Sequence, residues 1–366
     1  MKQKSILFII NNIVGLYSFR KEVVQACINA GYKVIVSSPI EDDSCKEFFL
    51  DIGCDIVNTT IDSRGTNPFK DIKLLFFYYR LISRIKPDTV LTYTIKPNIY
   101  GGLACRLAGV KQIANITGLG DALESNGILK YFLVLLYRAA LRKCKVCFFQ
   151  NAANLQFCLA NRIVKGKYQL LPGSGVNLSY FAYSEYPESE TVVFGYVGRI
   201  IKQKGMDELF SAIDVIKSKY GNKIEFRILG YYDHLYADKL ETMRRRNLVK
   251  FCGASTDVRP FISNIHCLVH PSYHEGMSNV CLEAAAMGRP VIATDVPGCR
   301  ETVNDMETGF LVRPKDIEDL VSKIEKFIQI PLDVKRKMGI AARNKVEKEF
   351  NRQIVVERYL CELNTI

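Results

Sequence analysis

Residues 270–286 read His-Pro-Ser-Tyr-His-Glu-Gly-Met-Ser-Asn-Val-Cys-Leu-Glu-Ala-Ala-Ala, and this segment decides the fold class. The apolar run Cys267–His270 has the length of a buried strand, and the Ala- and Leu-rich run after Ser278 favours a helix. A strand, a turn containing Gly276 and a helix in this order are typical of a parallel α/β sheet. Backbone N–H groups at the start of such a helix lack partners, so the segment predicts an anion-binding site.

The same alternation of short β-branched runs and longer amphipathic runs extends along the chain. The strand-like runs are Ile6–Ile10, Val34–Ser37, Thr89–Tyr93, Val146–Gln150, Val192–Val197, Ile224–Leu229, Cys267–His270 and Pro290–Thr294. Gly, Pro and polar residues interrupt them at 171–177 and 186–188, as in a linker. We therefore predict an α/β protein of two Rossmann-like domains, residues 1–178 and 179–352, facing each other across a cleft. Ligands bind beyond the carboxyl ends of parallel strands, so this interdomain cleft is the expected site.

Composition narrows the class of protein. The chain has 366 residues, 48% of them hydrophobic, which is enough for a large core and excludes a disordered protein. Residues 1–183 contain 23 Lys and Arg against 12 Asp and Glu, whereas residues 184–366 contain 27 against 26. A basic half attracts anions, so nucleic acid, anionic lipid and a diphosphate-bearing substrate are candidate partners. A basic surface without any partner is the alternative.

The cysteines and the apolar runs bear on the cellular compartment. The twelve cysteines form no Cys/His cluster at zinc spacing, and several lie in apolar runs, as expected for a reducing cytoplasm. Only the five residues Ile6–Ile10 follow Met-Lys-Gln-Lys as an apolar run, too few for the core of a signal peptide. No run approaches the roughly 18 apolar residues of a spanning helix, so we expect any membrane contact to be peripheral.

Two carboxylates and two cations are candidates for chemistry at the predicted anion site. Glu275 precedes the helix and Glu283 lies about one turn inside it, so both flank the site. Beside a phosphate, a carboxylate is suited to accepting hydrogen bonds from sugar hydroxyls. Residues 198–205 read Gly-Arg-Ile-Ile-Lys-Gln-Lys-Gly after a strand-like run. Arginine binds phosphate through two N–H groups and lysine supplies a compact charge, so Arg199 and Lys204 can neutralise a leaving diphosphate.

These motifs, together with Gly-Arg-Pro-Val-Ile-Ala-Thr-Asp at 288–295, resemble the retaining glycosyltransferases of family 4, which have the GT-B fold. The resemblance implies that Arg199, Lys204 and Glu275 are catalytic, with both cations on the donor diphosphate and the carboxylate on the transferred sugar. Glu283 would hold the ribose hydroxyls. The remaining donor-binding residues that the resemblance implies are Gly15, Gly198, Gly253, Gly276, Met277, Ser278, Asn279 and Val280. It also implies that a last helix, at about 353–366, returns to the first domain; its periodicity alone leaves its position open.

Segments of the first half narrow the subfamily. Residues 17–20, 62–69, 92–102 and 115–120 are similar to bacterial enzymes that build O-antigen, capsule and protein-linked glycans on undecaprenyl diphosphate. The resemblance implies a UDP-sugar donor (an N-acetylhexosamine, GalNAc first), an undecaprenyl-diphosphate-linked sugar as acceptor, and an α-linked product. The acceptor residues would be Tyr17, Arg20, Lys96, Asn98 and Gly118. Many relatives have a His in the 92–96 loop, where this chain has none, so the role of Lys96 is open.

The expected cofactor and location follow from the same features. No Asp-x-Asp motif lies near the proposed diphosphate site, and the cations already supply positive charge there, so we expect no metal cofactor. The expected location is the cytoplasmic face of the bacterial inner membrane, as a peripheral protein. Segments 128–146 and 73–86 mix aromatic, aliphatic and basic residues, as interfacial helices do. Ordinary core helices with a solvated basic face are the alternative.

Three other functions compete with this prediction. A transferase of galactose, glucose or a uronic acid to a lipid-linked acceptor differs only in the sugar. A sugar-nucleotide epimerase has a similar architecture but needs acid/base groups on the hexose, and the Arg199/Lys204 turn with Glu275 and Glu283 argues against it. A nucleic-acid-binding protein is favoured by charge alone, because the cations are not interleaved with a stacking platform. We therefore expect no nucleic-acid partner.

Overall fold

The computed structural model of the chain describes residues 3–62, 65, 67–119 and 127–365. Its internal contacts divide into two compact units. Unit 1 comprises Met1–Ser174 together with Gln353–Ile366, and unit 2 comprises Gly175–Arg352. The division therefore follows Ser174, four residues before the boundary expected from the sequence, and the last helix is assigned to unit 1. Of the motifs noted above, Ser63, Arg64, Thr66 and Gly120 lie outside the described residues.

Unit 1 contains a seven-stranded parallel sheet in the order β3-β2-β1-β4-β5-β6-β7. The strands are β1 Ser5–Ile9, β2 Lys33–Ser38, β3 Asp55–Asn58, β4 Thr89–Tyr93, β5 Lys111–Ile116, β6 Val146–Phe149 and β7 Lys167–Leu170. The helices are α1 Ile13–Asn29, α2 Asp43–Asp51, α3 Pro68–Ile85, α4 Gly102–Ala108, α5 Ile128–Leu141, α6 Ala152–Ala160 and, from the end of the chain, α13 Arg352–Asn364. A π-helical turn, Pro97–Gly101, precedes α4.

Helices cover both faces of this sheet, so its five central strands are buried over almost their whole length, whereas the edge strands β3 and β7 are partly exposed. One face packs against α1, α2 and α13, whose buried residues include Leu16, Phe49 and Val355. The other packs against α3 and α4, through Tyr78 and Ala104, and against α5. The strand order reverses between β1 and β4, and ligands of parallel sheets bind at the carboxyl ends of the strands beside such a reversal.

Unit 2 contains a six-stranded parallel sheet in the order β10-β9-β8-β11-β12-β13. The strands are β8 Val192–Val197, β9 Ile224–Leu229, β10 Lys250–Phe251, β11 Cys267–His270, β12 Val291–Thr294 and β13 Gly309–Val312. The helices are α7 Met206–Tyr220, α8 Ala237–Arg245, α9 Arg259–Ser263, α10 Asn279–Ala286, α11 Ile317–Gln329 and α12 Leu332–Glu349. Buried residues of α7 and α11 pack on one face, and those of α10 and α12 on the other. The order again reverses, here between β8 and β11.

Three further properties bear on the sequence expectations. In the part of the chain that the structure describes, no helix is long and apolar enough to cross a membrane. All twelve cysteines are free, and Cys144 and Cys147 stand at Cys-x-x-Cys spacing. A hydrogen bond with Cys144 and burial both raise the pKa of the Cys147 thiol. Across the described ranges, no group of three or more His, Cys, Asp or Glu is arranged to hold a metal ion.

Candidate functional site

Three glycines bring the carboxyl ends of β8, β9 and β10 into close contact. Gly198, Gly230 and Gly253 have φ angles of 148°, 149° and 74°, which residues other than glycine rarely adopt. The N–H of Gly230 donates to the carbonyl of Gly253 at 2.7 Å, and a Cβ on Gly230 would collide with the carbonyl oxygen of Gly198. The structure thus places Gly198 and Gly253, which the sequence assigned to the donor site, on either side of Gly230. Apart from its chain neighbours, no atom of the described residues lies within 4 Å of the position that a Cβ on Gly253 would take.

The turn that carries Lys204 is fixed against the loop after β11. Residues Lys202–Lys204 form a 3-10 turn that ends at Gly205, whose φ is 70°. A Cβ on Gly205 would collide with the carbonyl oxygen of Pro271, so only glycine allows this approach. The N–H of Tyr273 donates to the carbonyl of Gln203 at 3.0 Å. These contacts hold the Lys204 side chain beside the segment that contains Glu275.

Lys204, Glu275 and His270 form a connected polar group within unit 2. The Nζ atom of Lys204 donates to Oε1 of Glu275, and Nε2 of His270 lies 2.9 Å from the same oxygen. The Lys204 and Glu275 side chains are only 17% and 16% exposed. Burial raises the pKa of Glu275, but the His270 hydrogen bond and the charges of His270 and Lys204 outweigh it and lower this pKa to about 2. Glu275 is therefore a carboxylate at neutral pH.

The sequence analysis did not identify His270 as a functional residue. Its ring is buried and stacks on that of Tyr196, with centroids 6.3 Å apart, and the Tyr196 hydroxyl donates to the carbonyl of Arg199 at 2.7 Å. Because Glu275 is ionised, the His270 Nε2 atom carries a hydrogen and donates it. The sequence signal that could have identified His270 is its position as the polar last residue of β11, whose other residues are apolar. The Arg199 side chain itself is exposed on the turn after β8.

The backbone before α10 is fixed by contacts with the turn at Gly298. Ser278 has extended backbone angles, and its N–H donates to the carbonyl of Gly298 at 2.7 Å. Gly298 has a φ of 85°, and a Cβ there would collide with the carbonyl oxygen of Glu275. Asn279 and Val280 form the first turn of α10, where N–H groups have no intrahelical acceptor. Met277 is buried and Gly276 half-buried at this turn, so the predicted donor-binding segment 275–280 is continuous in the chain and runs from the loop into the first turn of α10.

Glu283 lies in α10 in an environment different from that of Glu275. Burial raises the pKa of Glu283 to about 7, and the charge of Arg352 opposes that rise only in part. The Nη2 atom of Arg352 donates to the carbonyl of Gly175 at 3.1 Å. The two carboxyl groups of the Glu-x7-Glu motif therefore differ: the surroundings of Glu275 lower its pKa, whereas burial raises the pKa of Glu283.

Asn98, predicted to contact the acceptor, is fully buried in a polar network of unit 1. Its Oδ1 accepts from the Thr92 hydroxyl at 2.7 Å, and its Nδ2 donates to the carbonyl of Asn115 at 2.9 Å. The hydroxyl of Tyr359, on α13, donates to Oδ1 of Asn115. The network thus joins the ends of β4 and β5, the π-helical turn and the last helix. The π-helical turn leads directly into α4, and single π-helical turns within helices are frequent at functional sites.

Lys96, the residue at the position of a family histidine, is paired with α3. Its Nζ atom donates to Oδ1 of Asp71 at 2.6 Å, and the Tyr100 hydroxyl donates to Oδ2 of the same carboxylate at 2.8 Å. Both ionic side chains are mostly buried, at 12% and 15% exposure. The sequence did not identify Asp71, because nothing in its local pattern shows a partner 25 residues away.

The other acceptor candidates lie in different parts of unit 1. Tyr17 packs edge-on against Phe48, with ring centroids 5.0 Å apart. Arg20 is 3% exposed, and its guanidinium lies 5.8 Å from the ring centroid of Tyr93, so it belongs to the interior of unit 1. Gly118 is half-buried after β5. The donor candidate Gly15 lies in the first turn of α1, where its N–H donates to the capping side chain of Asn12 at 2.6 Å.

Comparison with known proteins gives two family matches and full-length relatives. Residues 5–151 match the family described as Glycosyl transferase 4-like, and residues 191–329 match Glycosyl transferases group 1. The chain is 23% identical over 365 residues to the N,N'-diacetylbacillosaminyl-diphospho-undecaprenol alpha-1,3-N-acetylgalactosaminyltransferase of Campylobacter jejuni, covering 94% of both. It is 29% identical to the capsular polysaccharide biosynthesis glycosyltransferase CapM of Staphylococcus aureus, covering 81% of this chain and 82% of that one. It is 27% identical to the UDP-Gal:alpha-D-GlcNAc-diphosphoundecaprenol alpha-1,3-galactosyltransferase of Escherichia coli, covering 85% and 81%.

Solved structures show the same fold. Sucrose-phosphate synthase from Thermosynechococcus elongatus aligns with a TM-score of 0.81 at 20% identity, covering 99% of both chains. Anabaena Alr3699/HepE, solved in complex with UDP and glucose, aligns with a TM-score of 0.79 at 16% identity, covering 100% of both. The predicted α/β fold of two Rossmann-like domains, GT-B, is confirmed.

Proposed function

Since this chain belongs to the glycosyltransferases that join a glycosyl transferase 4-like domain to a group 1 domain, we propose that it builds a lipid-linked glycan. The proposed reaction moves an N-acetylhexosamine, GalNAc first, from a UDP-sugar to an undecaprenyl-diphosphate-linked saccharide. The names of the C. jejuni and E. coli relatives support this acceptor class. The E. coli name also supports the alternative in which the sugar is galactose.

The observation that carries the proposal is the Lys204–Glu275–His270 group beside the start of α10. It combines a positive charge, an ionised carboxylate and helix N–H groups without intrahelical acceptors in one loop system. The diphosphate of a nucleotide sugar requires the positive charge and the helix N–H groups. The hydroxyls of its sugar require the carboxylate as a hydrogen-bond acceptor. In the proposal, Lys204 exchanges part of its contact with Glu275 for a diphosphate oxygen, and His270 keeps the carboxylate oriented.

The proposed mechanism is a front-face substitution with retention. The bond from the anomeric carbon to the diphosphate oxygen breaks, and a bond to the acceptor oxygen forms on the same face, giving an α linkage from an α-linked donor. The departing phosphate oxygen takes the proton of the acceptor hydroxyl. Arg199, Lys204 and the N–H groups of Asn279 and Val280 stabilise the negative charge that develops on the diphosphate. Glu275 orients the sugar through hydrogen bonds to its hydroxyls and forms no covalent bond to it.

The proposed reaction requires no metal ion. In many diphosphate sites a divalent cation supplies the positive charge at the leaving group. Here Arg199 follows β8, Lys204 ends the 3-10 turn that comes next, and α10 begins after the loop that contains Glu275, so the chain itself supplies charge of that sign. Glu283, whose position inside α10 suits the ribose hydroxyls, completes the proposed donor site.

The acceptor side of the proposal rests on unit 1. Its basic residues and the exposed aromatic residues of α3 and α5, among them Phe69, Phe76, Tyr131 and Phe132, suit a protein that works at the cytoplasmic face of a bacterial inner membrane. An undecaprenyl chain would keep the acceptor diphosphate at that surface. Unit 1 would then bind the acceptor while unit 2 binds the donor.

A donor screen tests the function directly. Purified protein is incubated with a short-chain lipid-diphosphate sugar and, in separate reactions, UDP-GalNAc, UDP-GlcNAc, UDP-Gal, UDP-Glc and UDP-glucuronic acid. Mass spectrometry of the acceptor should show addition of one N-acetylhexosamine, and proton NMR should show an α anomeric coupling. Transfer of galactose alone would establish the alternative. A β coupling would disprove retention, and interconversion of UDP-sugars without transfer would establish an epimerase.

A further inference from the structure

A cluster of basic residues lies at the amino ends of the unit 1 strands. Lys96 and Asn98 follow β4 and so lie at the opposite, carboxyl ends of the strands. Helices α4, α5 and α6 end beside the basic cluster, shortly before β5, β6 and β7 begin. The ends of these helices enclose a surface cavity of about 490 Å³. Five of its eight lining residues are cations: Arg106, Arg138, Arg142, Arg162 and Lys165.

These charges are not neutralised by carboxylates in the cavity. Its described lining contains no acidic residue. Residues 89–183 contain 11 Lys and Arg and only two acidic residues, Asp121 and Glu124, both outside the described part of the chain. The segment that forms the cavity therefore adds no described negative charge of its own, and the five cations favour the entry of an anion.

Capping of helix ends accounts for part of this charge. Nη1 of Arg106 donates to the carbonyl of Ala139 at 2.9 Å, and Nε of Arg138 donates to the carbonyl of Asn161 at 2.7 Å. A helix carboxyl end carries about half a negative charge, so three ends offset about 1.5 of the five positive charges. More than three positive charges remain in one cavity, which is more than helix capping requires.

The cavity continues into an exposed apolar stripe on α5. Tyr131, Leu135, Arg138 and Arg142 follow each other at intervals of four, three and four residues, which places them on one face of the helix. Tyr131 is 73% exposed, Leu135 is 59% exposed and the adjacent Phe132 is 56% exposed. One end of this face is thus aromatic and the other is cationic. That combination fits the boundary between lipid headgroups and acyl chains better than a base-stacking surface for nucleic acid.

We propose that this cavity binds the phosphate headgroup of an anionic membrane lipid while Tyr131, Phe132 and Leu135 enter the lipid interface. This site is separate from the proposed acceptor site, which lies at the carboxyl ends of the strands, whereas the cavity lies at their amino ends. Helix α5 spans about 21 Å between these two ends. The lipid is a structural anchor and takes no part in transfer. The inference rests on the proposed function in that a membrane-borne acceptor gives the anchor its purpose.

Vesicle sedimentation tests the proposal with the full chain. The wild-type protein should bind phosphatidylcholine vesicles containing phosphatidylglycerol and not vesicles of phosphatidylcholine alone. A variant with Arg138→Gln, Arg142→Gln and Arg162→Gln should bind the anionic vesicles about 100-fold more weakly, since each basic residue near such a surface contributes about a factor of five. The matched control carries Lys223→Gln, Lys337→Gln and Lys348→Gln, three exposed residues of unit 2, and should bind as the wild type does.

A second variant set separates this site from α3. A separate surface groove along α3 is lined by Lys73, Arg80 and Arg84. Its cations are removed by Lys73→Gln, Arg80→Gln and Arg84→Gln. Loss of vesicle binding in this variant, with full binding in the cavity variant, would overturn the proposal. The single variant Arg142→Gln, with an expected loss of about five-fold, replaces the triple variant if the latter unfolds at a lower temperature than the wild type.

Two competition experiments define the ligand. Inorganic phosphate or a short duplex DNA, added at the same concentration of phosphate groups as the vesicles, should displace little protein. Displacement by either would assign the cavity to free phosphate or to general polyanions and would overturn the lipid headgroup. Transfer to a short-chain, water-soluble acceptor should be equal in wild type and cavity variant. Absence of transfer in the wild type would disprove the proposed function and leave the vesicle result standing.

Discussion

Lys204 and Glu275, which are 71 positions apart in the chain, form an ion pair through one carboxylate oxygen in the interior of a loop system. The pair joins the cation assigned to the donor diphosphate to the carboxylate assigned to the sugar. Both side chains are mostly buried, so little water lies around the pair to weaken the attraction between them. Changing one partner therefore affects the other, and single substitutions need controls on the same turn.

Replacing the cations of the donor site should slow transfer. Lys204→Ala and Arg199→Ala should each lower kcat/KM by about 100-fold or more, about 2.7 kcal/mol, because each removes a charge that answers the leaving diphosphate. Lys202→Ala is the matched control, since Lys202 is exposed on the same turn. Steady-state kinetics with the best donor measure the effect. Wild-type turnover in Lys204→Ala would disprove the assignment of this residue.

The Gly205 turn should be sensitive to a single methyl group. Gly205→Ala should lower both the free energy of unfolding and kcat/KM, because the new Cβ collides with the carbonyl oxygen of Pro271 and displaces Lys204. Gly221→Ala is the control: Gly221 also has a positive φ, 57°, but a Cβ added there would have no neighbouring atom within 4 Å. The control should lose about 1 kcal/mol of stability and no activity. Equal activities of the two variants would show that the turn does not position Lys204.

Glu275→Gln should slow transfer without trapping a sugar on the protein. The charges and hydrogen bond around Glu275 lower its pKa to about 2, so the carboxylate is present at every pH above about 4 and should cause no acid limb in that range. The amide accepts fewer hydrogen bonds from sugar hydroxyls, which reduces the rate. Intact-protein mass spectrometry of the wild type during turnover should show no added hexosamine. An adduct on Glu275 would identify it as a nucleophile.

Glu283 should make donor binding depend on pH near neutrality. Its pKa is raised to about 7, and hydroxyl groups of ribose are bound best by the ionised form. UDP affinity, measured by isothermal titration, should therefore rise by up to about ten-fold between pH 6 and pH 8. Because this folded-state pKa is raised, the folded protein holds its proton more tightly than the unfolded chain, and stability falls as pH rises from about 4.5 through about 7. Both dependences should be weaker in Glu283→Gln, and the part that remains belongs to other groups, including the terminal phosphate of UDP, which titrates at about pH 6.

Transfer should survive chelation of divalent ions. Lys204, Arg199 and the N–H groups at the start of α10 provide positive charge where a metal ion would otherwise stand. Initial rates in excess EDTA should match those in buffer alone, and added manganese should change them by less than about two-fold, because a required metal would contribute several kcal/mol of charge stabilisation. Complete loss of activity in EDTA, restored by manganese, would contradict the metal-free mechanism.

The sequence predicted the features that are local in the chain. The strand, glycine turn and helix of 267–286 could be predicted because strand length, the position of Gly276 and helix-forming residues all follow from neighbouring positions. The family motifs added Arg199 and Lys204. The contacts among these segments could not be predicted: the approach of Gly205 to Pro271 depends on strand order in the sheet, which brings β8 beside β11.

The interior polar contacts were outside the reach of sequence patterns for the same reason. Arg20 has the sequence environment of a surface residue in α1, yet its guanidinium lies against aromatic rings inside unit 1. Lys96 pairs with Asp71 across two elements, and Tyr359 reaches Asn115 from the other end of the chain. Each requires knowledge of which helix covers which face of a sheet.

The position of α13 also sets an order for synthesis. Val355, Val356, Tyr359 and Leu363 are buried in the core of unit 1, although the ribosome makes them after all of unit 2. Unit 2 is one continuous segment and can close its core as soon as it leaves the ribosome, whereas most of unit 1 emerges first and waits for its last helix. During that interval the apolar face beneath α13 is open to water. A nascent chain interrupted before residue 353 would therefore expose an aggregation-prone apolar surface on unit 1, most of which is synthesised first.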